Sequence, residues 1–245
     1  MRAMILAAGL GTRLRPLTDN KPKALVEIEG KTQLEIVLTR LKMAGIEEVI
    51  INLYHHGDMI KKYLKSNDYF DMEIYFSDER DQLLDTGGGI KKAGWFFLET
   101  GEPFLVHNVD ILTNIDLIDL AEYHKAYGGI ATLAVKHRAT SRSLLLNDNG
   151  NLIGWLDNES NEKIMGKEDE LIREEVAFSG IQVLSTEIFE LLDKNPPFSI
   201  IHSYLGIAKS KPVQTYNHDY SYWVDMGKKD NFAEASAIIK SEFKE

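Results

Sequence analysis

The chain has 245 residues, 44% hydrophobic and 27% charged, a composition typical of a globular protein with one sizeable core. Its formal net charge of −10 argues against nonspecific nucleic-acid binding, which requires a basic surface. The absence of cysteine excludes disulfide frameworks and thiolate zinc sites. No apolar run approaches the length of a membrane span, and a strand signal begins at the N-terminus in place of a signal peptide. We therefore expect a cytoplasmic protein without a nucleic-acid or membrane partner.

Strand and helix signals alternate through the first half of the chain. Apolar runs predict strands at Met4–Leu6, Glu48–Leu53, Met72–Phe76 and Pro103–Val106. Helical spacing predicts helices at Leu34–Leu41, at Met59–Leu64 and from Gly87, with Gly45 ending the first of them. This alternation predicts an α/β fold with a mostly parallel central sheet and helices on both faces.

The second half is richer in strand signals. Strands are predicted at 130–135, 144–146, 152–156, 178–184 and 222–224, the second and third forming a hairpin over Asn147–Gly150. Helices are predicted at 186–192, at 200–209 and from about Asp230, while the polar segment 158–174 is expected to be a surface excursion. No clean linker or repeat is evident. We expect one domain over 1–245, with halves at about 1–128 and about 129–245, and a small β-rich subdomain in the second half.

The most informative segment follows the first strand, where small residues lead into a cluster of cations. Gly9 and Gly11 allow backbone N–H groups to face an anion, because glycine has no side chain to block the approach. Arg13 and Lys23 add positive charge beside that loop. This combination suits the phosphates of a nucleoside triphosphate.

Two common phosphate-binding motifs are excluded. A dinucleotide fingerprint needs glycine at its third conserved position, which is Leu14 here. A P-loop needs Gly-Lys followed by Ser or Thr, and this loop lacks that order.

The stretch from Leu6 to Lys23 resembles the signature of sugar-1-phosphate nucleotidylyltransferases, which have a Rossmann-like, GT-A-like fold. The resemblance implies that a nucleoside triphosphate reacts with a sugar 1-phosphate and that pyrophosphate leaves. It also implies that Arg13 faces the β- and γ-phosphates and that Lys23 reaches the α-phosphate or the attacking sugar phosphate. The nucleotide-binding residues it implies in this loop are Leu6, Ala7, Ala8, Gly9, Gly11 and Thr12.

Two aspartates are candidate ligands for Mg²⁺, the divalent cation that usually accompanies a triphosphate. Asp110 and Asp225 each follow an apolar strand signal, and ligands of open α/β sheets bind at the carboxyl ends of strands, so we expect both aspartates at the same rim. The family has a metal-binding aspartate at each place. Val109 and His107 depart from the family pattern, which usually has a small residue before the first aspartate.

A second glycine stretch, Asp85–Gly89, resembles the family segment that packs against the nucleobase. We therefore expect Gly87 to contact the base through its backbone and Gln82 to bond the base edge; the alternative is a helix N-terminus with glycine caps. The resemblance makes about 1–128 the nucleotide-binding half and about 129–245 the sugar-binding half, and it places the sugar near Arg142 and Glu175, with Asn108 as a further contact. Arg142 has the planar donors that suit a carboxylate or phosphate on the sugar.

Taken together, the residues and the resemblance predict a Mg²⁺-dependent sugar-1-phosphate nucleotidylyltransferase acting as a monomer or homodimer. UTP with N-acetylmuramate 1-phosphate is the first substrate pair, and GTP with mannose or heptose 1-phosphate is the second. A non-catalytic nucleotide-sugar-binding regulatory protein of the same fold is the alternative in another class.

Overall fold

The computed structural model describes residues 1–193 and 195–243, and it shows a mixed α/β fold. The strands are β1 Ala3–Leu6, β2 Glu27–Ile28, β3 Lys31–Thr32, β4 Glu48–Leu53, β5 Glu73–Asp78, β6 Phe104–Asn108, β7 Ile111–Thr113, β8 Ala131–Lys136, β9 Arg142–Leu146, β10 Leu152–Asp157, β11 Lys163–Met165, β12 Glu174–Leu184, β13 Val213–Asn217 and β14 Trp223–Asp225. The helices are α1 Gln33–Met43, α2 Gly57–Ser66, α3 Asp85–Lys92, α4 Gly94–Leu98, α5 Leu117–Tyr127, α6 Ile188–Leu191, α7 Ile200–Ala208 and α8 Phe232–Glu242.

The chain divides into two compact units, each assembled from segments that are distant in sequence. The first unit comprises Met1–Leu83, His107–Ile115 and Ser221–Glu245. The second unit comprises Leu84–Val106 and Asp116–Tyr220.

Parallel strands form the sheet of the first unit. β1 pairs with β4 and β4 pairs with β5, both parallel. All four residues of β1 are buried, and so are five of the six residues of β4. Such continuous burial explains why these strands are apolar throughout, because helices cover parallel sheets on both faces. Helix α1 begins after Thr32, whose hydroxyl accepts the Glu35 N–H at 3.0 Å.

A short antiparallel ribbon in the first unit is important for the site. β7 pairs with β14, with Asp225 opposite Ile111. Its apolar side packs into a core cluster with residues of β2, α1 and α8: Ile28, Ile36, Leu112, Val224, Met226, Ala235 and Ile239. The ribbon is therefore anchored by buried hydrophobic surface.

The second unit is richer in antiparallel pairing. β12 pairs antiparallel with β8 and β9, and β10 pairs antiparallel with β9 and β11, whereas β13 pairs parallel with β8. Helices α5 and α7 pack on these strands. β12 has an irregular register between Phe178 and Gln182, where Gly180 adopts a φ of +76°.

The predicted α/β class is confirmed, together with the alternation of strands and helices in the first half and the hairpin of β9 and β10. Segment 158–174 is largely exposed, as expected of a surface excursion, and it contains the short strand β11, which was not predicted and pairs with β10. Strands β7 and β13 and helix α5 were not predicted. β7 has only three residues, and the polar positions of α5 obscure its apolar face.

Candidate active site

Hydrogen bonds to a buried side chain fix the backbone at the point where the glycine-rich loop leaves β1. The side-chain oxygen of Asn52, on β4, accepts the N–H groups of Ala7 at 2.6 Å and of Ala8 at 3.2 Å. The Asn52 amide donates in turn to Glu79 at 2.8 Å. Asn52 and Glu79 are both buried, so their polar groups need hydrogen-bond partners within the protein. This network aligns the start of the loop before the exposed Gly9.

The next turn packs against Lys23. Gly11 has a φ of +63°, which favours glycine, and it precedes the short 3₁₀ turn Thr12–Leu14. A Cβ atom on Gly11 would lie 2.9 Å from the Cβ of Lys23, and one on Gly9 would lie 3.2 Å from the Lys23 Nζ. The Thr18 hydroxyl donates to the Gly11 carbonyl at 2.8 Å. The two glycines therefore allow the loop to close over the lysine side chain.

Two cations and two carboxylates meet within the first unit. Lys23 Nζ lies 2.9 Å from Asp110 Oδ2, and Arg13 Nη1 lies 2.9 Å from Asp225 Oδ2. A third, longer ion pair joins Arg13 Nη2 to Asp110 Oδ2 at 3.9 Å. The side chain of Arg13 is 54% exposed, whereas that of Asp110 is 9% exposed. Arg13 therefore offers its guanidinium to solvent, while Asp110 is held inside.

Opposing effects act on the Asp110 carboxyl. Burial disfavours its charged form and would raise its pKa, but the adjacent Lys23 ammonium and its hydrogen bond outweigh burial and lower the pKa below its usual value. Asp110 is therefore an anion at neutral pH. Nearby His107 is buried and has a pKa lowered to about 4 by desolvation, so its ring is neutral.

The ribbon of β7 and β14 explains how residues so distant in sequence meet. Asp110 immediately precedes β7, and Asp225 ends β14. The Met226 N–H donates to the Asp110 carbonyl at 2.7 Å. As expected, Asp110 follows the end of β6, a strand of the ten-stranded sheet. Asp225 differs from the expectation, because it ends β14, which pairs antiparallel with β7 in a separate ribbon.

The turn after Asp225 is held in place by two side-chain amides, the buried Gln33 and the half-buried Asn231. The Gln33 side chain donates to the Met226 carbonyl, and the Asn231 side chain donates to the Asp225 carbonyl, both at 2.9 Å. The Gly227 N–H donates to Asp225 Oδ1 at 2.9 Å. These bonds fix the direction of the Asp225 carboxylate.

Gly227 leaves a space between the charged groups. A Cβ atom built there would lie 2.7 Å from Asp110 Oδ2, 2.8 Å from Asp225 Oδ1 and 2.9 Å from Arg13 Nη2. The two carboxylates thus face one common point. Two carboxylate ligands together with phosphate oxygens suit Mg²⁺, which is usually bound in this way and not by an all-protein cage. No group of three or more His, Cys, Asp or Glu side chains suited to a metal occurs among residues 1–193 and 195–243.

The other predicted residues of the first unit lie in two places. Asn108 ends β6, two positions before Asp110, and is half-buried. Val109, between them, is fully buried, and its N–H donates to the Leu6 carbonyl at 3.2 Å. Gln82 is exposed, and its N–H donates to the Glu79 carbonyl at 3.0 Å. Their roles toward substrates stay predictions.

The predicted residues of the second unit have partners of their own. The Gly87 N–H donates to the Phe198 carbonyl at 3.0 Å, and a Cβ on Gly87 would lie 2.4 Å from the Phe198 ring. Packing inside the unit thus already requires glycine there, and contact with a base stays a prediction. Arg142 on β9 and Glu175 on β12 are exposed, with Arg142 Nε 3.8 Å from Asp157.

Several positioning residues were missed by the sequence analysis. Asn52 and Glu79 orient the loop, Gln33 and Asn231 orient the Asp225 turn, and Gly227 leaves the space beside both aspartates. A polar residue inside the apolar run Glu48–Leu53 was the available signal for Asn52. The others carry no local signal, because their partners are distant in sequence.

Comparison with known proteins identifies the family. A family model described as nucleotidyl transferase matches residues 2–242. The chain belongs to this family. It is 32% identical over 244 residues to the N-acetylmuramate alpha-1-phosphate uridylyltransferase of Neisseria meningitidis serogroup B, covering 97% of this chain and 98% of that protein. The corresponding Caulobacter vibrioides enzyme is 45% identical over 111 residues, which is 44% of this chain and 45% of that protein.

Other relatives of the family act on different substrates. Mannose-1-phosphate guanyltransferase 2 of Candida glabrata is 28% identical over 246 residues, covering 97% of this chain. The match spans 64% of that protein, so the chain is shorter than several of its relatives.

Solved structures share the fold. HddC from Yersinia pseudotuberculosis, complexed with GMP-PN, has a TM-score of 0.77 at 23% identity, covering 98% of this chain and 99% of that one. A UDP-glucose pyrophosphorylase from Acinetobacter baumanii has a TM-score of 0.78 at 18% identity, covering 98% and 93%. In the part of the chain that the structure describes, no helix is both long and apolar enough to span a bilayer.

Proposed function

We propose that this protein is a Mg²⁺-dependent sugar-1-phosphate nucleotidylyltransferase. The observation that carries the proposal is the cluster of Arg13, Lys23, Asp110 and Asp225 beside a glycine-rich loop. Two cations that can neutralise phosphates lie next to two carboxylates that can hold a divalent cation. Membership of the nucleotidyl transferase family supports the same activity.

The reaction needs charge neutralisation and alignment, with no protein nucleophile. An oxygen of the sugar phosphate attacks the α-phosphorus, a new P–O bond forms, and the bond to the β-phosphate breaks as pyrophosphate leaves. Arg13, being largely exposed, binds the β- and γ-phosphates, and Lys23 stabilises charge at the α-phosphate or on the attacking phosphate. The backbone from Leu6 to Thr12 holds the triphosphate.

Asp110 and Asp225, whose carboxylates converge beside Gly227, would hold Mg²⁺. The bound ion supplies Lewis-acid polarisation of phosphate oxygens and neutralises part of their charge. The hydrogen bonds of Met226, Gln33 and Asn231 keep the carboxylates in position for it.

UTP and N-acetylmuramate 1-phosphate are the proposed substrates. The Neisseria meningitidis relative named for that reaction matches this chain over nearly its whole length. GTP with mannose 1-phosphate is the second candidate, because guanyltransferases match over 97% of this chain at lower identity. Gln82 and Gly87 are the proposed base contacts, and Asn108, Arg142 and Glu175 are the proposed sugar contacts.

A panel of triphosphates and sugar 1-phosphates, assayed for pyrophosphate release, tests the proposal. We expect UTP with N-acetylmuramate 1-phosphate to give the highest kcat/KM, at least about tenfold above GTP with mannose 1-phosphate, a difference of about 1.4 kcal/mol. The Asp110→Asn variant is the matched inactive control. Binding of nucleotide sugar without pyrophosphate release from any pair would instead favour the regulatory alternative.

A further inference from the structure

The carboxylate oxygen Asp110 Oδ2 contacts Lys23 and also lies beside Gly227. It accepts from Lys23 Nζ at 2.9 Å, and it also lies 2.7 Å from the point that a Gly227 Cβ would occupy. Asp225 Oδ1 lies 2.8 Å from the same point, so the two carboxylates converge beside Gly227. A divalent cation held by both aspartates would therefore compete with Lys23 for the Asp110 carboxylate.

The pair of Lys23 and Asp110 is not a loose surface contact. The Lys23 side chain is 15% exposed and the Asp110 side chain is 9% exposed. Solvent screens such a pair poorly, and removal of one partner leaves a buried charge without compensation. Lys23 is therefore a strong competitor for a cation that approaches Asp110.

The glycine loop holds the lysine in this position. A Cβ atom built on Gly9 would lie 3.2 Å from the Lys23 side chain, and one built on Gly11 would lie 2.9 Å from it. Because Lys23 begins the 3₁₀ turn Lys23–Leu25 after Pro22, its backbone is also defined. A phosphate bound beside the loop would give the Lys23 ammonium a new partner.

We propose that Lys23 is a built-in counter-ion that competes with the divalent cation for Asp110 until a triphosphate draws it away. This inference rests on the proposed function, since it assumes the cation site at Asp110 and Asp225. It adds that Lys23 couples the two ligands: metal binding is opposed in the nucleotide-free protein, and nucleotide relieves the opposition. Linkage requires the effect to be reciprocal.

The test is Mn²⁺ binding to the nucleotide-free protein, followed by electron paramagnetic resonance. Lys23→Met removes the competing charge, so we expect Mn²⁺ to bind at least about tenfold more tightly than to the parent protein. Lys21→Met is the matched control, because it removes the same charge from the same loop, where Lys21 lies 4.0 Å from Glu27. Its Mn²⁺ affinity should stay within about twofold of the parent value, since exposed charges are largely screened.

Unchanged or weaker Mn²⁺ binding in Lys23→Met would overturn the inference, and so would an equal gain in Lys21→Met. Lys23→Gln, which keeps a hydrogen-bond donor, provides a second neutral variant if Lys23→Met does not fold. The Asp110→Asn variant separates this inference from the proposed function. If Asp110→Asn binds Mn²⁺ as the parent does, the metal site itself is wrong; if it loses Mn²⁺ while Lys23→Met shows no gain, only the competition is wrong.

Discussion

The space beside Gly227 gives the sharpest prediction about the site. Gly227 is not among the residues with positive φ, so its backbone conformation is open to other residues. What excludes a side chain is the surroundings, since a Cβ would approach three charged groups at 2.7 to 2.9 Å. Gly227→Ala therefore tests whether that space must stay empty for function.

The magnitude follows from the displacement that the methyl group forces. Carbon–oxygen contacts under 3 Å are strongly repulsive, so the Asp110 and Asp225 carboxylates must retreat from the methyl group by about half an ångström. A misplacement of about 1 Å in an active site costs about 100-fold in rate. We expect kcat/KM to fall about 10- to 100-fold, and Mn²⁺ affinity to fall at least about tenfold because Mg²⁺-type sites demand near-ideal geometry.

The assay is pyrophosphate release together with Mn²⁺ binding, with thermal unfolding as a check on the fold. Gly206→Ala in α7 is the matched control, because its Cβ would meet nothing within 4 Å. That control should keep full activity and gain about 0.5–1 kcal/mol of stability, since alanine is favoured over glycine inside a helix. Parent-like activity and Mn²⁺ affinity in Gly227→Ala would refute the idea that the positions of these carboxylates matter for cation binding.

Three further predictions concern charge, pH and loop positioning. Arg13→Ala should lower turnover by about 100- to 1000-fold, the effect of losing one preorganised electrostatic donor, with unchanged thermal unfolding; normal turnover would remove Arg13 from the mechanism. Burial keeps His107 neutral and lowers its pKa to about 4 from an ordinary 6.5. The unfolded chain therefore binds a proton at His107 before the folded protein does, and the free energy of unfolding falls as the pH drops from 6.5 to 4. His107→Gln should therefore flatten the fall in unfolding free energy over that range in denaturant titrations, and an unchanged slope would contradict this reasoning. Asn52→Ala should raise the triphosphate KM and cost about 1–3 kcal/mol of stability, because Glu79 loses its amide donor; an unaltered KM would show that Asn52 does not position the loop.

Much of the fold follows from local pattern. Buried strands such as β1 and β4 are apolar throughout, and α1 shows helical spacing with a glycine after its end. The predicted strand Glu48–Leu53 agrees with the observed one at both ends. The strand within segment 158–174 was harder to predict, because β11 has only three residues and depends on its pairing with β10.

Part of the candidate site could also be predicted from local sequence. The sequence by itself determined the anion-binding character of the loop, since Gly9, Gly11, Arg13 and Lys23 lie within fifteen residues and their chemistry is local. It also predicted Asp110 and Asp225 as strand-end carboxylates at one rim, but not the ribbon that brings them together.

Only the tertiary structure decided how these groups are arranged. The pairing of β7 with β14 brings Asp225 to the residue that follows Asp110, and this depends on a hydrophobic cluster drawn from distant segments. Long-range pairing also places Asn52 under the loop and leaves the space at Gly227. Sequence pattern reports the periodicity of one segment, whereas ion pairs such as Lys23–Asp110 depend on the packing of several segments at once.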